Sequence, residues 1–236
     1  EDYVLSKKQV KTVALANAFD DHALEALVMA KRKGIVKGIL IGDVARTKKM
    51  LEDLGENCED YEFIEEDDEL ASAKLAVKLV KEKKADMPMK GLMMTSSFMK
   101  AILDKENGLI NPGHILSQAT ILEFKEENRL MVISDCAVNI MPDANKKIMI
   151  TQNAIDLAIS LGIEKPNVAV LSALEKVNPA IPSTVDASIV ASYDKYNNLG
   201  NIIGPVAMDI AVSKEAALHK GVDSPVCGNA DILIMP

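Results

Sequence analysis

Short apolar runs alternate with longer amphipathic stretches through most of the chain, and that alternation is the first constraint on the fold. The run KTVALANA (11–18) is apolar and brief, as a strand buried on both faces should be. It leads into DDHALEALVMAKRKG, where Leu24, Leu27, Val28 and Ala30 recur at helical spacing before Gly34. GIVKGILIGD (34–43) predicts a second strand and VARTKKMLEDLG a second helix ending at Gly55. YEFIEEDDELASAKLAVKLVKEKKAD (61–86) predicts a short strand, an acidic helix start and a long helix through Leu70, Ala73, Leu75, Val77, Leu79 and Val80. Strand and helix in strict alternation predict a doubly wound sheet.

KENGLINPGH (105–114) breaks this pattern with Asn, Gly and Pro, and is read as a domain boundary. The chain is therefore divided into an N-terminal α/β domain over 1–110 and a second α/β domain over 111–236. Beyond the break, ILSQATILEF and RLMVISD flank the polar KEEN and predict an antiparallel hairpin, the start of a new sheet. The alternation then resumes: helix KKIMITQNAIDLAISLG to Gly162, strand NVAVLSA (167–173), helix VDASIVASYDKYNN (185–198), strand NIIGPVAMD, helix SKEAALHKG and strand NADILIMP. The last run stops without a closing helix or polar tail, so the natural protein is expected to continue.

Composition agrees with stacked helices on parallel strands. The chain is 48% hydrophobic but only 3% aromatic, with no Trp, so its core must be Ala, Val, Ile, Leu and Met. A net charge of −8 with scattered lysines argues against nucleic acid and against a membrane surface as partners. Cys58, Cys136 and Cys227 are odd in number, far apart and outside any metal-ligand spacing, as expected of reduced thiols in a cytoplasmic protein. No run approaches the ~20 apolar residues of a membrane span, and EDYVLSKKQV has no signal-type apolar region.

In a doubly wound fold a ligand sits outside the carboxyl ends of the strands, so polar residues following each apolar run are the candidates. These are Lys90 with Gly91, Thr95 and Ser96; Asp135 with Asn139 and Asp143; Ser172 with Glu175 and Asn178; Asp209; and Gly228 with Asn229. MPMKGLMMTSSFMKAIL places a cation and then Thr-Ser-Ser at the start of a helix, which suits an anion; the plainer reading is a Thr95 or Ser96 N-cap, and both can hold at once. Asp135, Asn139 and Asp143, four apart, either orient a substrate carbonyl or serve as a lysine partner and a helix cap. Glu175 and Asp209 are strand-end carboxylates, each either a general base or an ordinary surface charge. His22, His114 and His219 lack partners at ligand spacing and are read as structural or solvated, and no metal site is expected. Met87, Met89, Met93, Met94 and Met99 cluster around Lys90, lining an acyl slot or filling core gaps. No P-loop, GxGxxG, GxSxG or HExxH occurs, which removes the common nucleotide, hydrolase and zinc readings.

Taken in chain order, MKGLMMTSSFMKAIL, ISDCAVNIMPDANKK, QNAIDLAISLGIEKPNVAVLSALEKVNPAIPSTVDA, GPVAMDIAVSKEAALHKG and SPVCGNADILIMP resemble the phosphate acetyl/butyryltransferase family, and more closely its butyryltransferase branch. The resemblance runs from about residue 84 to 236 and is a weaker matter of pattern over 12–43. It implies two α/β/α domains with mostly parallel sheets, like the isocitrate and isopropylmalate dehydrogenases, a cleft between domains, and a homodimer. It also implies the reaction acyl-CoA plus phosphate giving acyl phosphate plus CoA, with coenzyme A as substrate, no bound cofactor, and a butyryl or branched short acyl group. Under it Lys90, Thr95 and Ser96 contact phosphate, Asn139 and Asn178 supply amide hydrogen bonds, Asp135 and Asp209 organise the cleft, and Asp143, Glu175, Gly228 and Asn229 complete the substrate-binding set. Relatives continue past the position of Pro236 with Gly-Asn, a Lys, a Ser-Arg pair and an Asp resembling the base and anion clamp; none of these is in this sequence, and Arg32, Arg46 and Arg129 do not stand at family anion positions. That departure leaves a second expectation, an acyl-phosphate- and CoA-binding subunit of a reductase-type complex. A decarboxylating dehydrogenase of the same fold group would need an Asp metal cluster and an Arg-rich site, which this sequence lacks.

Overall fold

In the computed structural model, which describes residues 2–124, 128–196 and 198–236, the chain forms two compact units, Glu1–Pro112 and Gly113–Pro236. After a short helix α1 (Asp2–Ser6), the first unit runs β1 (Lys11–Ala16), α2 (Asp21–Arg32), β2 (Val36–Gly42), α3 (Val44–Asp53), β3 (Glu62–Glu65), α4 (Glu69–Lys81), β4 (Met87–Lys90) and α5 (Thr95–Ile102). Its sheet has the order β3-β2-β1-β4 with every pair parallel. The chain winds outward from β1 to β3 and then crosses back to β4 on the other side of β1. A crevice for ligands therefore lies past the carboxyl ends of β1 and β4.

Pleating explains the uninterrupted apolar character of β1. Val13 and Leu15 pack with Leu24, Leu27 and Val28 of α2 and Leu51 of α3. Ala14 and Ala16 face the other way, onto Ala73, Ala76 and Val77 of α4 and Ala101 of α5. With helices on both faces, hydrophobic alternation has no reason to appear. β1 stops at Ala16, short of the expected 11–18, because Asn17 takes a left-handed φ of 48° and turns the chain.

α3 and α2 are tied by a buried carboxylate. Glu56, with its side chain 6% exposed, accepts from Lys31 Nζ at 2.8 Å, Arg32 Nε at 2.8 Å and Tyr61 OH at 2.7 Å. The Lys31 ammonium is the main reason its pKa falls from 4.5 to about 2; burial opposes the shift, and Tyr61 and Arg32 reinforce it. A depressed carboxylate pKa stabilises the fold above the unfolded value and loses that contribution as pH falls from 4.5 toward 2, with an upper bound of about 3 kcal/mol. Denaturant titrations between pH 6 and pH 3 should therefore show a stability slope that Glu56→Gln flattens; an unchanged slope would remove Glu56 from the acid sensitivity.

The second unit runs β5 (Ala119–Phe124), β6 (Arg129–Ser134), α6 (Ala144–Ser160), β7 (Asn167–Leu171), α7 (Pro182–Ala191), β8 (Asn201–Val206), α8 (Met208–Val212), α9 (Lys214–His219) and β9 (Ile232–Ile234). β5 and β6 form the expected antiparallel hairpin; of the connecting KEEN, residues 125–127 lie outside the described residues. The sheet order is β5-β6-β9-β7-β8, parallel from β6 onward, so the last run of the sequence is the central strand. Ile232 and Ile234 pack on α6 and α7 through Ile155, Ala158, Ala187 and Val190, while Leu233 packs with Ile210, Ala211 and Ala217 of α8 and α9. The helix read as 185–198 instead starts at Pro182, whose ring suits the first helical turn, and ends at Ala191 before a separate 3-10 turn, Asp194–Tyr196; Asn197 lies outside the described residues. The short helix α8 had no counterpart in the periodicity.

Candidate active site

In the first unit, the four helices that follow a strand's carboxyl end differ in how they begin. Asp20, Asp43 and Asp68 cap α2, α3 and α4, accepting from Ala23, Arg46 and Ala71 N–H at 2.7, 2.9 and 2.7 Å. These carboxylates satisfy the helix donors and repel anions. α5 begins differently: its N-cap is Met94 and no side chain caps it. Thr95 and Ser96 are therefore the first residues inside the helix and exposed, correcting the expectation that one of them is the cap. Lys90 ends β4 immediately upstream, and its Nζ donates to the carbonyls of Gly91 and Met93 at 3.3 and 3.1 Å. Both partners are neutral; among the described residues no carboxylate pairs with this ammonium.

The β4–α5 loop is stitched onto the end of β1. Gly91 N–H donates to Ala16 O at 2.8 Å, and Asn17 Nδ2 donates to Leu92 O at 2.9 Å while its backbone N–H donates to Ser72 Oγ. A Cβ on Gly91 would lie 2.1 Å from Asn17 O, so only glycine fits this approach. Asn17 is 5% exposed and was missed in the sequence, although the rule of polar residues after an apolar run applies to it as well. The methionine cluster divides: Met93 is buried against Ala101, whereas Met87 and Met94 are 48% and 66% exposed.

In the second unit Asp135, Glu175, Asn178 and Asp209 follow the carboxyl ends of β6, β7, β7 and β8. The Asp135 carboxylate is saturated. Oδ1 accepts from Ala137 and Val138 N–H, both at 2.9 Å, and Oδ2 accepts from Asn139 Nδ2 at 2.7 Å and from Gln118 and Asn139 N–H at 3.2 and 3.3 Å. Burial pushes its pKa up, but these donors outweigh burial and hold it below the ordinary carboxylate value. Asp135 thus folds its loop and has no lone pair to spare as a base. Asn139 spends its amide hydrogens on Asp135 and on Leu116 O at 2.9 Å, so the donor role implied for it is already occupied. Asp143 caps α6 through Lys146 N–H at 2.8 Å.

Asn178 is arranged the other way. Its Oδ1 accepts from Ala180 N–H at 3.0 Å and its backbone is locked to Thr184 Oγ1, while among the described residues its Nδ2 donates to none. α7, which follows, has Ile181 as N-cap and no side-chain cap, with Ser172 and Ser183 hydroxyls 2.8 Å apart at its base. Glu175 and Asp209 converge on Lys220, which the sequence reading missed: Nζ lies 2.9 Å from Glu175 Oε1 and 3.1 Å from Asp209 Oδ2. Lys220 holds both carboxyl pKa values below their ordinary range.

Gly228 and Asn229 do not belong with these residues. They precede β9 instead of following a strand: Asn229 O accepts from Asn167 Nδ2 at 3.0 Å, and Asn167 opens β7. They therefore sit at the amino edge of the sheet, about 16 Å along the strand from Ser172. Gly228 has φ 68°, and a Cβ there would meet Lys214 N at 2.3 Å, so its glycine serves packing. His22, His114 and His219 are all exposed.

Each of the two α/β units has a helix without a side-chain cap at the carboxyl edge of its sheet, α5 in the first and α7 in the second. Residues 65–236 match the phosphate acetyl/butaryl transferase family, and the chain belongs to it. It is 39% identical over 234 residues to the phosphate butyryltransferase of Clostridium acetobutylicum, covering 98% of this chain and 77% of that one. It is 34% identical to the phosphate acetyltransferase of Thermotoga maritima, covering 98% and 79%. Among solved structures it resembles a branched-chain phosphotransacylase from Enterococcus faecalis with a TM-score of 0.80 and 31% identity, covering 96% of this chain and 79% of that one. Among the described residues no helix is long and apolar enough to cross a membrane.

Proposed function

We propose that this chain is a phosphate acyltransferase that moves a short acyl group, butyryl or branched, between coenzyme A and inorganic phosphate. The observation that carries the reading is the start of α5: three other helices in the same unit are N-capped by aspartate, and this one opens beside an ammonium that among the described residues meets only carbonyls. Phosphate there would accept from the exposed N–H groups of the first helical turn and from Lys90.

In the direct transfer this supports, a phosphate oxygen attacks the thioester carbonyl carbon; the new C–O bond forms as the C–S bond breaks, and CoA leaves as the thiolate. Bringing the two substrates together in a ternary complex supplies the entropic part of the acceleration. Within the second unit, Asn178 Nδ2 is an amide donor of the kind that stabilises negative charge developing on an oxygen. Asp135 and Asn139 hold the β6–α6 loop, and Lys220 fixes Glu175 and Asp209. The butyryl reading draws support from the 39% identity to the Clostridium acetobutylicum butyryltransferase and from likeness to a branched-chain phosphotransacylase. A homodimer in the cytoplasm belongs to the same reading.

The test is thiol release from butyryl-CoA and acetyl-CoA with and without phosphate. Phosphate-dependent release, faster with butyryl-CoA, is expected. Because an apolar slot distinguishes one methylene by only about 1–3 kcal/mol, residual acetyl-CoA activity is expected too. Release that ignores phosphate would reject the transferase; absence of release until partner proteins are added would favour the reductase-complex subunit.

A further inference from the structure

The cluster Lys220, Glu175 and Asp209 joins three parts of the second unit that the chain itself leaves separate. Glu175 lies on the loop between β7 and α7, Asp209 is the second residue of α8, and Lys220 closes the C-terminus of α9. One ammonium serves two carboxylates: Glu175 Oε1 at 2.9 Å and the two Asp209 oxygens at 3.1 and 3.2 Å. The loop it holds is otherwise open, with Ala173, Leu174, Lys176 and Val177 exposed, and the same loop ends in Asn178. The three side chains are 29–51% exposed, and each such pair by itself contributes little to stability.

We infer that Lys220 is a charge-compensating residue of the transfer reaction, balancing the Glu175 and Asp209 carboxylates so that the carboxyl edge of the second sheet admits a phosphate-bearing substrate. The inference rests on the phosphate acyltransferase reading and adds a residue to it. Its physical basis is the charge count. With Lys220 in place the cluster carries one net negative charge; without it, two adjacent carboxylates face an anionic substrate and repel each other. Inorganic phosphate, acyl phosphate and the phosphates of coenzyme A share the chemistry that would be repelled.

The substitutions Lys220→Met, Lys220→Arg and Lys220→Met combined with Glu175→Gln separate this role from a structural one. Lys220→Met is expected to raise KM about tenfold for the phosphate-bearing substrate that meets this edge, with kcat within about threefold and Tm within about 2 °C of the parent. Comparing KM for inorganic phosphate with KM for butyryl-CoA identifies which substrate that is. Lys220→Arg should stay near the parent, since it restores the charge. The double variant returns the cluster to one negative charge and should recover KM to within about threefold of the parent. Unchanged KM values in Lys220→Met, a fall in kcat together with a lowered Tm, or a double variant no better than the single one would each overturn the inference. If the parent protein shows no phosphate-dependent thiol release, the transferase reading fails on its own. Calorimetric titration of the same variants with coenzyme A and with inorganic phosphate then decides for Lys220, with about tenfold weaker binding to Lys220→Met supporting the inference and equal binding rejecting it.

Discussion

Gly91→Ala is expected to destabilise the first unit by more than about 3 kcal/mol and to abolish most of the transfer activity with it. The added Cβ would lie 2.1 Å from Asn17 O and 2.8 Å from Ala16 O, and both are backbone atoms that cannot rotate away. Relief requires parting the β4–α5 loop from the end of β1, which breaks the Gly91–Ala16 hydrogen bond and moves Lys90 and the start of α5. Gly55→Ala is the matched control. Gly55 has φ 74° but no atom within 4 Å of its Cβ position, so it should cost only about 1 kcal/mol, through backbone strain alone. Urea unfolding of both variants measures the difference; a Gly91→Ala protein within 1 kcal/mol of the Gly55→Ala protein would show that the two loops are not held against each other.

Lys90→Ala is expected to raise KM for phosphate by about 10- to 100-fold, the value of one charge-assisted hydrogen bond, while KM for butyryl-CoA changes less than about threefold. The asymmetry follows from the geometry. Lys90 leans over its own loop toward Met93 O and the open start of α5, and its loss takes away a cation without unfolding a helix. Steady-state kinetics with each substrate varied separately reads the effect, and equal changes in both KM values would place Lys90 outside the phosphate site. Lys90→Arg should recover only part of the affinity, because a planar guanidinium cannot reproduce the compact ammonium over the same carbonyls.

Several features of the fold were legible because they are local. The runs at 13–16, 39–41 and 168–171 are apolar on consecutive residues, which a strand covered on both faces must be. The Asn, Gly and Pro between 105 and 114 interrupt the alternation where backbone turns demand such residues. The Asp143 cap could be read from an acid placed just ahead of an apolar helix. Boundaries were less legible. Asn17 ends β1 by adopting a left-handed φ that hydrophobicity does not encode, and α8 is too short for a periodicity to register.

The candidate site divides along the same line. Lys90 and Asn178 could be nominated from their places after apolar runs, but that nomination cannot tell an open amide from an occupied one. Asn139 and Asn178 look alike in the sequence; one has spent its hydrogens on Asp135 and Leu116 O, the other has used only its oxygen. Gly228 and Asn229 were nominated by their small polar character next to an apolar run, yet they precede β9 and close the opposite edge.

The sequence by itself determined the order and type of most elements, the apolar core and the family, because each depends on neighbouring residues or on motifs read in chain order. Only the tertiary structure decided that the final run β9 is the central strand, that α5 starts without a cap, and that Lys220 joins Glu175 to Asp209. Glu175 and Lys220 are 45 positions apart, and Val132 of β6 pairs with Ile232 of β9 across 100. Such pairings follow from how strands order themselves in a sheet, and a local hydrophobic pattern carries no record of that order.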